Sequence, residues 1–191
     1  TVTSELYDGK IGIKVIPCYY KKDYPEWSDR GDGPGAPVAV HLPNSPIIQT
    51  GKRDGSKIRL PNGNYLEETA SYYVLVETKG GGMTPALITM KSTQLNVSKK
   101  WNSMMKTIQI PDGKGGMAIP PMHGVVYKLS SVLQKNDKGS WYGWSVTQDR
   151  IMGQKDKTLY LTAKDFNSSV SKGNVQTKAD VEEKAKDNTP Y

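Results

Sequence analysis

His41 and His123 are the two histidines of the chain, and Cys18 is its one thiol. A histidine base, a thiol nucleophile or a His/Cys metal site would have to draw on them, and their placement argues against all three. The histidines form no metal-like pair and lie far apart in sequence. A single cysteine excludes an intramolecular disulfide and the usual thiolate zinc sites. Cys18 sits in Ile-Pro-Cys-Tyr-Tyr at the end of an apolar stretch and reads as a small buried core residue. No phosphate-cradling Gly-x-x-x-x-Gly-Lys-Ser loop and no Gly-x-Ser-x-Gly elbow occurs. No catalytic residue, metal or cofactor is therefore expected. A nuclease built from scattered carboxylates, or a nuclease accessory, is the enzymatic alternative.

The residues that could do chemistry of another kind are aromatics interleaved with cations. Tyr19-Tyr20-Lys21-Lys22 is followed by Tyr24 and Trp27. Lys99-Lys100-Trp101, Tyr127-Lys128 and Trp141-Tyr142-Gly143-Trp144 repeat the association. Lys52, Arg53, Lys57 and Arg59, and later Lys135 and Lys138, add charge in turn-rich segments. Single-stranded nucleic acid offers bare base faces and a charged backbone. Rings can stack on the bases at about 1–3 kcal/mol each while Lys and Arg neutralise phosphates. The candidate contacts are Tyr19, Tyr20, Lys21, Lys22, Trp27, Lys52, Arg53, Lys99, Lys135, Lys138, Trp141 and Trp144. Each has a plainer reading as core or as solvated surface. Trp101 stands with Met104 and Met105 on an apolar face and is expected in the core. Trp141 and Trp144 are three apart on a strand, so one is expected inside and the other exposed.

The elements that must position these groups follow from periodicity. Residues 11–20 read as a strand with Ile11, Ile13, Val15 and Pro17 on one face, and Pro17 marks an edge or a bulge. Residues 21–71 are rich in Pro and Gly and read as one long loop with short strands hidden in it. Residues 72–79 and 85–90 form a hairpin about Gly80-Gly81-Gly82. Val97, Trp101, Met104, Met105 and Ile108 recur at helical spacing, so 92–108 is an amphipathic helix that Ser92 or Thr93 caps. Residues 125–132 and 140–147 are the last two strands, joined by a loop over 133–139. Leu159-Tyr160-Leu161 packs as a short element.

Five strands with a helix between the third and fourth is the order of an OB-fold barrel, whose second and third strands and whose loops after strands one and four bind oligonucleotides. The fold class is mainly β, with an OB-like barrel over residues 1–163 and a polar end over 164–191 that is a mobile tail or, at 178–187, a marginal helix. No internal repeat is present. The chain carries 26 Lys and Arg against 19 Asp and Glu, a net +7. From Lys164 onward basic and acidic residues balance at five each, so the excess belongs to the folded part. The mean hydropathy of −0.61 and the lack of a long apolar run argue against a membrane span. The start, Thr1-Val2-Thr3-Ser4-Glu5, carries neither a signal peptide nor an initiator Met, as in a trimmed fragment. The lone cysteine fits a reducing cytoplasm.

The stretches Ile-Lys-Val-Ile-Pro-Cys-Tyr-Tyr (13–20), Leu-Pro-Asn-Gly-Asn-Tyr-Leu-Glu-Glu-Thr-Ala (60–70), Lys-Ser-Thr-Gln-Leu-Asn-Val-Ser-Lys-Lys-Trp-Asn-Ser-Met-Met (91–105) and Asn-Asp-Lys-Gly-Ser-Trp-Tyr-Gly-Trp (136–144) resemble a family of tailed-bacteriophage proteins from replication gene modules. The resemblance spans roughly residues 1–147. It implies a single-stranded DNA-binding protein in the host cytoplasm, with single-stranded DNA and phage replication proteins as partners and self-association open to it. Family members begin further upstream. The final tail lacks the strongly acidic end common in phage single-strand binders. The main rival reading is a virion or assembly component with a Gly-rich, β-rich body and no affinity for DNA.

Overall fold

A computed structural model describes residues 7–29, 36–137 and 139–175. Strand β1 (Ile13–Trp27) is followed by β2 (Ala39–His41), the single-turn helix α1 (Ile47–Thr50), β3 (Lys52–Asp54), β4 (Lys57–Arg59) and β5 (Tyr65–Glu67). Then come β6 (Thr69–Glu77), β7 (Met83–Lys91), helix α2 (Leu95–Thr107), the short pair β8 (Ile110–Pro111) and β9 (Met117–Ala118), the long hairpin β10 (Val125–Asn136) and β11 (Gly139–Ile151), and helix α3 (Lys157–Ser171). The segment 21–71 is thus not one long loop. The first strand runs seven residues further than its apolar pattern predicts, to Trp27, and four short strands and a helical turn follow. Elements of three or four residues carry too little periodicity to rise above the Gly and Pro turns that separate them.

β1 belongs to two sheets. Its residues 13–23 lie in a curled antiparallel sheet of order β7-β6-β1-β10-β11, where Val15 pairs with both Val76 and Tyr127. Its residues 24–27 pair with β2 and β5, and β5 continues to β4 and β3 in a small second sheet. Gly12 makes this start possible: its φ is +77°, and a Cβ there would sit 2.3 Å from the Leu129 carbonyl oxygen. Pro17 has no N–H for the ladder, and the register to β6 slips between Pro17 and Tyr19. The expected bulge is present, and it lies in an interior strand, not an edge.

α2 fills the concave side of the sheet, packing against β6, β7 and β11. Trp101 is fully buried there, stacked on Tyr72 at 4.3 Å and edge-on to Tyr127 at 5.6 Å. The Tyr72 hydroxyl lies 2.8 Å from Ser98 Oγ, which ties the helix to β6. Neither Ser92 nor Thr93 caps α2; a 3-10 turn over Ser92–Gln94 leads into it, with Ser92 at φ 52°.

α3 covers part of the other side of the sheet. Ala163 is buried against Ile16, Cys18, Leu75 and Val126, with Leu159 and Phe166 beside it. The bulge leaves the Cys18 carbonyl free, and it accepts a hydrogen bond from the Asn167 amide. The helix therefore runs straight through position 163, where the polar tail was expected to begin, and residues 164–171 are part of the packed fold. Leu159, Ala163, Phe166 and Val170 are spaced for a helix, but their stripe is narrow in a polar segment. The marginal helix expected at 178–187 lies outside the described residues.

The sheet is a curled half-barrel that stays open: among the described residues β7 and β11 do not pair. One side chain bridges the gap. The Trp144 backbone N–H on β11 donates to Gln94 Oε1 at 2.9 Å. Gly143 lets Gln94 come this close, since a Cβ there would lie 2.3 Å from Gln94 Nε2. Gln94→Ala removes this bridge and leaves the N–H half-buried without a partner. The expected loss is about 1–2 kcal/mol in urea unfolding at unchanged m-value; a loss below about 0.3 kcal/mol would show that packing alone closes the gap.

The small sheet has its own core of Tyr24, Ile58, Leu60 and Leu66. Beside it, buried Glu26 accepts hydrogen bonds from Asn64 Nδ2 at 2.6 Å and Asn62 Nδ2 at 3.2 Å, and its other oxygen lies 2.7 Å from His41 Nε2. Burial by itself would raise the Glu26 carboxyl; the bonds from Asn64, His41 and Asn62 outweigh it and hold the group below its ordinary value. A lowered carboxyl contributes stability above its unfolded value, about 4.3, and loses it as pH falls through the folded one. Acid unfolding followed by circular dichroism should accordingly be steeper for the native chain than for Glu26→Gln. Identical acid limbs would remove Glu26 as its source.

Candidate functional site

Because the bulge adds one residue to β1, the strand's two faces exchange parity there. Before it Val15 faces α2; beyond it Tyr20 does, and Tyr19, Lys21, Asp23 and Trp27 face the opposite, convex side. On that convex side the two sheets run together. Tyr19 meets Tyr73 edge-on at 5.9 Å, with Leu87 beyond it, 40% exposed. In the small sheet the register sets Lys52, Arg59, Tyr65 and Trp27 in one cross-strand row over β3, β4, β5 and β1. Lys57 Nζ stands 3.6 Å above the Tyr65 ring, and the Arg59 guanidinium lies 5.5 Å from the same ring. Lys91 Nζ lies 5.9 Å from the Trp27 ring. Two half-exposed rings thus lie side by side beneath three cations.

Carboxylates temper the charge of this face. Arg59 is paired with Asp29 at 3.2 Å and Asp54 at 3.4 Å, Lys91 with Glu67 at 3.0 Å, and Lys21 with Asp23 at 3.3 Å. Among the described residues Lys52 and Lys57 form no ion pair. The arrangement can stack flat π systems and neutralise a small number of anionic groups.

Of the candidate contacts, Tyr19, Lys21, Trp27 and Lys52 share this face, and Arg53, exposed on β3, alternates to the other face of the small sheet in register with Ile58. The others are elsewhere. Tyr20 points to the α2 side, tilted against Tyr72 at 4.9 Å. Lys22 points there too, paired with Glu68 at 2.7 Å. Lys99 is exposed on α2, across the sheet from the ring row. Lys135 is exposed on the β10–β11 hairpin, and Lys138 lies outside the described residues. Trp141 and Trp144 are both half-buried, contrary to the expected split; Trp144 packs against the main core and Trp141 buries its indole N–H. The exposed ring on that strand is Tyr142, at 72%.

Tyr65, Lys57, Arg59 and Lys91 were not among the candidates. Lys57 and Arg59 were visible as charge, but their spacing of two carries a strand face only once β4 is known to be a strand. Tyr65 follows the turn at Leu60–Asn64, and nothing local pairs it with Trp27, 38 positions earlier.

Cys18 is fully buried beneath α3, and burial pushes its thiol up to about 12. His41 serves the Glu26 network. His123 is buried with its ring 5.2 Å from Tyr160, and burial and nearby Lys164 lower it from its ordinary value.

Fold and surface together define a mainly β, curled-sheet protein with a helix on each side and a cation–aromatic face. No helix of the described residues is long and apolar enough to cross a membrane. The chain belongs to the Pam3 phage gp34-like protein family, whose model matches residues 1–176, and it is a bacteriophage-associated protein on that ground. No curated protein and no solved structure matches it significantly.

The state of Cys18 is open to direct measurement. A thiol-reactive disulfide at pH 8 should leave the native chain unlabelled and react once urea unfolds it. Fast labelling of the folded protein would show that α3 does not cover the thiol.

Proposed function

We propose that the protein binds single-stranded DNA during phage replication or recombination, laying bases on its convex face, and that it acts by binding and not by catalysis. The observation that carries this reading is the row Lys52–Arg59–Tyr65–Trp27 with Lys57 and Lys91 over the rings. Base stacking on rings is worth about 1–3 kcal/mol each and tolerates any sequence. The cations over the rings are placed to turn toward phosphates once bases displace them. An OB-like reading of the fold is supported by the pairing order β7-β6-β1-β10-β11, by α2 following the third long strand, and by the Gln94 contact where that barrel would have its closing strand pair.

The ion pairs on this face set the expected salt dependence. With Lys52 and Lys57 the cations there outside ion pairs, two phosphates at about −0.7 each give a slope of log K against log salt near about −1.4. Titration of a fluorescent oligonucleotide across a salt series should show this shallow slope and a preference for single over double strands. Tyr65→Ala should weaken binding by about 1–3 kcal/mol, and Lys57→Ala should flatten the slope. Absent or salt-independent binding would refute the reading, and a slope steeper than about −3 would move the DNA to another surface.

A second reading, a virion or assembly component, is favoured by the distal β10–β11 hairpin. Among the described residues the hairpin beyond Ser131 pairs only with itself, and it exposes Leu133 at 62% and Tyr142 at 72%. A defined ring or lattice in light scattering, with no affinity for DNA, would establish that reading instead.

A further inference from the structure

The outer side of α2 is a second charged surface, across the sheet from the ring row. Its thirteen residues carry Lys99, Lys100 and Lys106 and no Asp or Glu. All three lysines are exposed, and none forms an ion pair among the described residues. An open groove runs along each side of the helix. One, of about 280 Å³, has Met105, Met122 and Tyr20 as its floor and Lys106 at its rim. The other, of about 350 Å³, lies against the β10–β11 hairpin, with Val97, Met104, Val132 and Trp144 inside and Lys100 at its rim.

We propose that this helix face docks a short acidic peptide segment of a partner protein, which seats apolar side chains in the two grooves and carboxylates on the lysines. The groove floors favour a peptide over nucleic acid. The smaller is mostly thioether surface with Asn102 beside it, the larger sets Val97, Met104, Val132 and Val146 against Gln134 and Ser145, and the two rings present are already packed, Tyr20 on Tyr72 and Trp144 on the core, so neither is a free stacking platform. Methionine adapts to alkyl and aromatic side chains of differing shape. Burying one Leu or Phe side chain contributes about 1.5–3 kcal/mol, whereas each exposed ion pair contributes about 0–1 kcal/mol. The apolar anchors therefore supply most of the affinity, and the unopposed lysines supply the selection for acidic partners.

The test uses the whole chain and a fluorescent peptide in which Asp and Glu alternate with Leu and Phe, followed by anisotropy. Saturable binding is expected, with at least about tenfold loss in Lys99→Glu/Lys100→Glu/Lys106→Glu and in Val132→Asp, which puts a carboxylate into the larger groove against apolar and acidic side chains of the peptide. A control peptide with Ser in place of Leu and Phe should bind at least about tenfold more weakly. If Val132→Asp does not fold, the lysine variant, whose positions are all exposed, still decides. Tyr65→Ala should leave peptide binding unchanged, and the lysine variant should keep its oligonucleotide affinity, so failure here is separable from failure of the DNA reading. No saturable binding, equal binding of the Ser control, or loss of oligonucleotide affinity in the lysine variant would each overturn the proposal, the last by making the α2 face the nucleic-acid surface.

Discussion

Pro17 cannot donate a backbone hydrogen bond, and it stands inside the strand that two sheets share. The chain resolves this with one extra residue. That residue reverses which side chains of β1 face which helix. Upstream, Ile13 and Val15 pack toward α2 and Ile16 and Cys18 toward α3; downstream, Tyr20 packs toward α2 while Tyr19 and Trp27 face outward. Were the alternation unbroken, Tyr19, Lys21 and Trp27 would point into the α2 side and the convex face would lose three of its members. The freed Cys18 carbonyl also gives Asn167 its anchor, so the same bulge seats α3.

The remaining architecture manages an open sheet. A curled sheet with unpaired edges needs its concave surface filled and its edges guarded. α2 does the first with Trp101 at the centre of a stack of rings. Gln94 contributes to the second by bonding the edge of β11 at Trp144. Pro85 lies on β7, an edge strand, where a missing N–H is tolerated. The small sheet is attached through β1 and kept in place by a buried carboxylate fully supplied with donors, which is the condition under which burial of a charge is tolerable.

Much of this was legible in the chain before folding. Residues 72–79 and 85–90, the helix near 92–108 and the last two strands follow from strong local patterns, and the structure places β6, β7, α2, β10 and β11 over them. Cys18 and Trp101 were read as core, and both are fully buried. The small sheet was not legible, because its strands are three residues long and its partners are brought together only by β1. α3 was legible only as a short element at Leu159–Leu161, because its apolar stripe is narrow and its composition polar. The candidate face was half legible: Tyr19, Lys21, Trp27 and Lys52 carried a signal, while Tyr65 and Lys91 acquire a role only from a neighbour distant in sequence.

The sequence by itself determined the residue types available, the long strands and the main helix, since these depend on local periodicity and backbone preference. It also determined that a bulge or an edge had to occur at Pro17, because the missing N–H is covalent. Tertiary structure alone decided which rings share a surface with which cations. That depends on strand register, on a parity change of one residue and on the cross-strand pairing of β1 with β5, and none of these is encoded in the spacing of any single segment. It also decided that the lysines of α2 stand on a face of their own, across the sheet from Trp27 and Tyr65, while Trp101, their neighbour in sequence, is buried in the core.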